Sequence, residues 1–166
     1  MNKGFDVYEY LDETLDFDKY EMRFIGNSPM EFRNIIHVPP CDSAVVAGYL
    51  KSSDIFVTAS KSDPCSNSLI EALHCGLPAI ARNCGGHPGI IGECGELFDN
   101  AEDIAPLIRK IEREYEGYRS KFSCPDIADI SAQYESFAEE LLALRESGNL
   151  PVKKIGIIRK IKSYFI

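Results

Sequence analysis

Two carboxylates, Asp63 and Glu71, stand either side of the run Pro64-Cys65-Ser66-Asn67-Ser68-Leu69-Ile70. A helix-borne acid can hold a vicinal diol by accepting two hydrogen bonds, the chemistry used to grip a ribose. Glu71, about two turns along from Asp63, is the candidate for that task. Asp63, in the preceding loop, is placed to hold the hydroxyls of a sugar ring. Ser66, Asn67 and Ser68 fall at the expected helix start, where unpaired N–H groups and the helix dipole favour phosphate. Gly85-Gly86 permits a close backbone approach beside the same phosphate or sugar. Each feature also has a plainer reading. Asp63, Ser66 and Asn67 are good turn and N-cap residues, and Glu71 suits a solvated helix face. Gly76-Leu77-Pro78 suits a helix end, and Gly85-Gly86 a simple turn. Their order within one strand–loop–helix–strand–loop unit is what favours a ligand.

The elements that must position these groups follow from the pattern of apolar residues. Asp54-Ile55-Phe56-Val57-Thr58-Ala59 reads as a buried strand, residues 66–75 as a helix, and 78–81 as a short strand. Ahead of them, residues 4–13 predict a helix, 22–26 and 34–38 predict strands, and Asp42 or Ser43 caps a helix through Leu50. Behind them come an edge segment at 96–98 and helices over 102–118 and 127–147. Alternating strands and helices imply an α/β fold with a mostly parallel, doubly wound sheet. Such sheets bind ligands at the carboxyl ends of their strands. No GxGxxG occurs, so the usual dinucleotide fingerprint is not in play.

The 166 residues suit one domain, 1–148, and Gly148 and Pro151 mark a break before a basic-apolar tail, 149–166. The net charge of −8 argues against nucleic-acid binding, which leans on a basic surface. Residues 153–166 carry five basic and no acidic side chains, leaving a net of about −13 on residues 1–152. Two readings of the tail stay open: it lies on an anionic membrane, or it packs on an acidic face of its own protein. Six cysteines without CxxC spacing and three histidines without metal-like spacing point to reduced thiols and no metal. No apolar run approaches the roughly 20 residues needed to cross a bilayer.

The passage from Asp63 to Pro78 resembles the donor-binding signature of retaining glycosyltransferases of the glycosyl transferases group 1 family, which have the GT-B fold. The family motif is E-G-F-G-x-x-x-x-E-A-x-x-x-G-x-P. Asp63 takes its first acidic place and Glu71 its second, followed by Ala72, Gly76 and Pro78. Gly85-Gly86 is similar to the family's Gly-Gly-x-x-Glu loop, although Gly89 stands at the acidic position. Lys3-Gly4 is similar to the Lys-Gly that follows the first strand of the family's donor domain. The resemblance implies a Rossmann-like three-layer domain, the second half of a GT-B fold, with its first strand and its acceptor domain expected to be missing from this chain. It implies catalytic roles for Asp63, on the donor sugar, and Lys3, on the diphosphate. Cys65, Ser66, Asn67, Ser68, Leu69, Gly85 and Gly86 would line the donor, with Glu71 on the ribose. It implies a nucleoside diphosphate sugar as ligand, no metal or other cofactor, and a glycan or lipid-linked acceptor in cell-surface polysaccharide synthesis. A separate acceptor-domain polypeptide is the expected protein partner, and the cytoplasm, with peripheral attachment to the membrane's inner face, the expected location. The other reading is a non-catalytic or partner-dependent fragment that binds nucleotide-sugar.

Overall fold

Short strands alternate with helices through most of the computed structural model, which describes residues 3–122 and 127–151. The chain divides into two units, Met1–Cys124 and Pro125–Ile166. The first opens with helix α1 (Phe5–Thr14), strands β1 (Arg23–Ile25) and β2 (Ile36–Val38), and helix α2 (Ser43–Lys51). Strand β3 (Phe56–Thr58), helix α3 (Asn67–His74), strand β4 (Ala79–Arg82), helix α4 (His87–Ile91) and strand β5 (Gly95–Phe98) follow. A 3-10 turn (Ala101–Asp103) then leads into α5 (Ile104–Arg113) and α6 (Tyr115–Ser120). The second unit contains α7 (Ile127–Glu146). Most of the expected tail, from residue 152 onward, lies outside the described residues.

Every strand pair is parallel, as the alternation of strands and helices requires. The strands form two sheets, β1–β2 and β3–β4–β5, so the layer is open between β1 and β3. Side chains alternate across it. Ile80 faces α1 and α5, in a core with Val7, Tyr8, Leu11, Phe98, Ile104 and Ile111. Its neighbours Ala79 and Ala81 face the other way, onto Leu69 and Leu73 of α3 and Ile91 of α4. Helices thus cover both faces, the arrangement that lets a parallel sheet be apolar on both sides.

Helix α1 holds the two sheets side by side. Its Tyr8 ring meets Phe24 of β1 edge-on at 5.2 Å, and its hydroxyl accepts the N–H of Ala59, just past β3, at 3.2 Å. At its other end the buried Asp12 carboxylate accepts three backbone N–H groups, from Arg33, Asn34 and Ile35, at 2.7–2.8 Å. Burial pushes the Asp12 carboxyl upward, but these three donors together hold it below the ordinary aspartate value.

Local signals account for most of the boundaries. Asp42 caps α2 by accepting the Val45 N–H at 3.0 Å. Helix α3 closes in a Schellman turn: Gly76 takes φ +84°, its N–H donates to Leu73 O, and the Leu77 N–H donates to Ala72 O. The helix expected over 102–118 is instead divided. Glu114, at φ −116°, leaves helical geometry, and the new start carries Tyr118 into a buried position. There the Tyr118 hydroxyl donates to Glu96 of β5, which also accepts from Lys110 at 2.7 Å. Burial, then Glu96, pushes the Tyr118 phenol up to about 12. Removing that hydroxyl in Tyr118→Phe is expected to cost about 1 kcal/mol in urea unfolding. Helix α4 falls where only a loop was expected, because five residues are too few for apolar periodicity to register.

Candidate functional site

Strand β3 brings the chain to the carboxyl edge of the sheet at Thr58, and Ala59-Ser60-Lys61-Ser62-Asp63-Pro64-Cys65-Ser66 then turns into α3. Gly4 meets this edge from the other side. It has φ +71°, and a Cβ there would lie 2.0 Å from the Ala59 carbonyl oxygen. Only glycine fits that left-handed, crowded position. The contact sets Lys3 beside the end of β3. Lys3, Thr58, Ser60, Ser68 and Glu71 all line one cleft of about 1080 Å³. Ser68 and Glu71 are one turn apart on α3, so they share a face.

The other predicted donor residues sit around the start of α3 but do not line this cleft. Asp63 Oδ1 accepts the Cys65 N–H at 3.3 Å, an Asx turn that fixes the carboxylate in the loop. Cys65 is an exposed free thiol. Ser66 occupies the N-cap position and is 1% exposed, yet its side chain caps no N–H. Its Oγ lies 3.3 Å from Ser68 Oγ. The first-turn N–H groups of Asn67, Ser68 and Leu69 therefore receive no side-chain cap from Ser66. The Leu69 side chain is 0% exposed and packs in the core, so only its backbone can meet a ligand.

Gly85 and Gly86 make their close approach to the protein itself. A Cβ on Gly85, at φ +60°, would lie 2.5 Å from Asp63 O, and one on Gly86 would lie 2.1 Å from Pro64 O. The Gly86 N–H donates to Asp63 O at 2.9 Å. The two loops are thus locked backbone to backbone. Further donors hold the beginning of the Asp63 loop. Arg82 Nε donates to Ala59 O at 3.2 Å, and the Cys84 thiol donates to Ser60 O at 3.2 Å. Asp6, at the start of α1, pairs with Lys61 at 2.9 Å and lies 3.9 Å from Arg82. Lys61 is the main reason the Asp6 carboxyl sits below its usual value, against a smaller opposing effect of burial.

Thr58, Ser60, Lys61 and Arg82 escape a reading of motifs. Their signal was positional: each ends or follows a strand at the carboxyl edge, where open α/β sheets gather polar groups. Among the described residues, no three His, Cys, Asp or Glu side chains are grouped to hold a metal ion. No described helix is long and apolar enough to cross a membrane.

Parallel strands with helices on both faces and a cleft that reaches the carboxyl edge define a Rossmann-like α/β domain. Residues 12–116 match the family described as glycosyl transferases group 1, and the chain belongs to that family. The matched stretch includes Asp63, Glu71 and Gly85-Gly86 but not Lys3. Among solved structures, sucrose-phosphate synthase from Thermosynechococcus elongatus is similar, with a TM-score of 0.60 at 20% identity. The alignment covers 86% of this chain and 43% of that one, so this chain spans less than half the length of that relative. The likeness establishes the fold as the Rossmann-like second half of a GT-B architecture. A search of curated proteins gives no match.

Proposed function

We propose that this chain is the donor-binding domain of a retaining glycosyltransferase, which transfers a sugar from a nucleoside diphosphate sugar to a glycan or lipid-linked acceptor. The observation that carries the reading is that Lys3, Ser68 and Glu71 line one cleft, which reaches the carboxyl end of β3. Glu71 takes the ribose hydroxyls. Lys3, the Ser68 hydroxyl and the first-turn N–H groups of α3 take the diphosphate, together with the backbone of Cys65 to Leu69. Asp63, fixed by its Asx turn, takes hydroxyls of the sugar, and Gly85-Gly86 holds the Asp63 loop in place. Negative charge grows on the diphosphate as the glycosidic bond breaks. A fixed ammonium group and fixed amide dipoles stabilise that charge without reorganising, which is where the catalytic effect lies. A lipid-linked acceptor suits a cytoplasmic protein attached to the membrane's inner face through the basic residues of 153–166.

Calorimetry with UDP, GDP and inorganic pyrophosphate tests the assignment. Glu71→Ala is expected to weaken nucleoside diphosphate binding roughly 30-fold, the worth of charge-assisted bonds to a diol, and to leave pyrophosphate binding unchanged. Lys3→Ala is expected to weaken both. Nucleotide affinity untouched by Glu71→Ala would sink the ribose assignment. A wild-type chain that binds none of the three would count against the donor site itself. The open sheet between β1 and β3 favours a second reading, a nucleotide-sugar-binding fragment that needs a partner to turn over.

A further inference from the structure

Helix α7 repeats apolar side chains along one stripe, at the spacing by which two helices wind together. We propose that α7 pairs with α7 of a second copy of this chain, parallel and in register, as a short two-stranded coiled coil. The inference rests on this helix alone, independently of what binds at the carboxyl edge of the sheet.

Ile127, Ile130, Tyr134, Phe137, Leu141 and Leu144 follow one another at alternating steps of three and four. With Ile127 at a, they fill every a and d position of a heptad along α7. A helix of that length is about 30 Å long. None of the six side chains is buried. Tyr134 is 73% and Phe137 57% exposed, and Ile130 and Leu144 are half-buried. A continuous apolar stripe left in water marks a surface that associates. Its width says with what. The flanking e and g positions hold Ser131, Gln133, Ala138, Glu140 and Arg145, all small or polar. A helix packed on a globular core needs a broader apolar face, whereas a stripe of a and d alone is the seam of a coiled coil.

Charge selects the partner and its direction. The acidic side chains of α7 are Asp129, Glu135, Glu139, Glu140 and Glu146, against the single basic Arg145. An anionic lipid surface repels such a helix. A second α7 does not, because Asp129, Glu135, Glu139 and Glu146 occupy b, c and f positions, which point away from the seam. The two charged groups beside the seam are complementary. Glu140 stands at g and Arg145 at the next e, both are exposed, and neither has an ion-pair partner among the described residues. In a parallel pair, g of one helix meets the following e of the other, so each Glu140 faces the other copy's Arg145, twice by symmetry. In an antiparallel pair g meets g and e meets e, and this match is lost. Parallel pairing is therefore the arrangement that α7 favours.

Sedimentation velocity of the full 166-residue chain at low salt, over a dilution series, tests the pairing. The expected result is a dimer at about 100 μM that dissociates on dilution. Phe137→Glu places two carboxylates in the seam and should leave a monomer throughout. Its side chain is exposed, so the change spares the chain's own core. Glu140→Arg and Arg145→Glu each turn two attractive pairs into repulsive ones and should weaken the dimer about 10-fold. Mixed in equal amounts, these two variants restore both attractions, and a mixed dimer as tight as wild type is expected. That rescue is beyond a merely structural role for either residue. A wild-type chain that stays monomeric at every concentration would overturn the proposal, whether α7 is then found on vesicles or covered by the chain's own residues. Association that survives Phe137→Glu would overturn it by assigning the dimer to another surface. Association lost in Phe137→Glu but indifferent to both charge reversals would overturn the parallel register.

Discussion

Gly86→Ala is expected to destabilise the protein by about 2–3 kcal/mol, whereas Gly89→Ala, three residues on, should stabilise it slightly. The contrast isolates packing from backbone freedom. Gly86 has φ −87°, a conformation open to any residue, so alanine meets no backbone strain there. What it meets is Pro64: the new Cβ would stand 2.1 Å from the carbonyl oxygen and 2.8 Å from its carbon. Ordinary contact between such atoms needs roughly 3.5 Å, so the two loops must part by about 1 Å. Parting them also breaks the 2.9 Å bond from the Gly86 N–H to Asp63 O. Overpacking and a lost backbone hydrogen bond together set the expected cost. Gly89 lies within α4 with nothing inside 4 Å of its would-be Cβ. There alanine restricts the unfolded chain and gains about 0.5–1 kcal/mol. Urea unfolding of the two variants decides the matter. If they behave alike, the Asp63 and Gly86 loops are not locked as described. Because Asp63 rides on the displaced loop, a 1 Å shift in Gly86→Ala should also slow sugar transfer on the order of 100-fold, if Asp63 holds the donor sugar as proposed.

That coupling shows what could and could not be read from the residues alone. The strand at 56–58, the helix from Asn67 and the turn at Gly76 were legible because each has a local cause: an apolar run, a polar helix start, a left-handed glycine. So was the parallel order of the strands, which follows from their alternation with helices. Gly85-Gly86 was legible as a site of close approach, but the partner was not. The partner is the backbone of Asp63 and Pro64, about twenty residues earlier, and no local pattern encodes such a meeting. The same holds for Leu69. Its place in the motif suggests contact with the donor, while the helical phase turns its side chain into the core beside Leu73 and Ala81. The division at Glu114 was hidden because residues 102–118 keep a helical spacing of apolar positions throughout. Only burial of Tyr118 against Glu96 reveals it.

The largest loss of stability is expected from Asp12→Ala, about 3–5 kcal/mol, a substantial part of the ~5–15 kcal/mol that holds a domain of this size. Asp12 is 4% exposed and its carboxylate is the acceptor for three backbone N–H groups. Alanine leaves those three donors facing a void, each at a cost of about 1–3 kcal/mol before water or local relaxation recovers some of it. The loss also frees the Arg33-Asn34-Ile35 segment, which leads directly into β2, so the β1–β2 sheet should loosen first. Asp12→Asn keeps one acceptor oxygen and should cost less. Its value lies in pH dependence. The folded carboxyl titrates below its ordinary value of 3.8, so in the window beneath that value the unfolded chain binds more protons than the folded one. Stability from this group is therefore complete above the unfolded pKa and lost as pH falls through the folded one. The amide in the Asp12→Asn variant does not titrate. The stability gap between wild type and Asp12→Asn should be constant from pH 7 down to about pH 5 and shrink below about pH 4. Urea midpoints measured across that range read the gap directly. The other carboxylates held low, Asp6, Glu96 and Glu112, are present in both proteins and cancel from the difference. A gap that stays constant into acid would show that Asp12 is not the ionised hub joining α1 to the segment before β2.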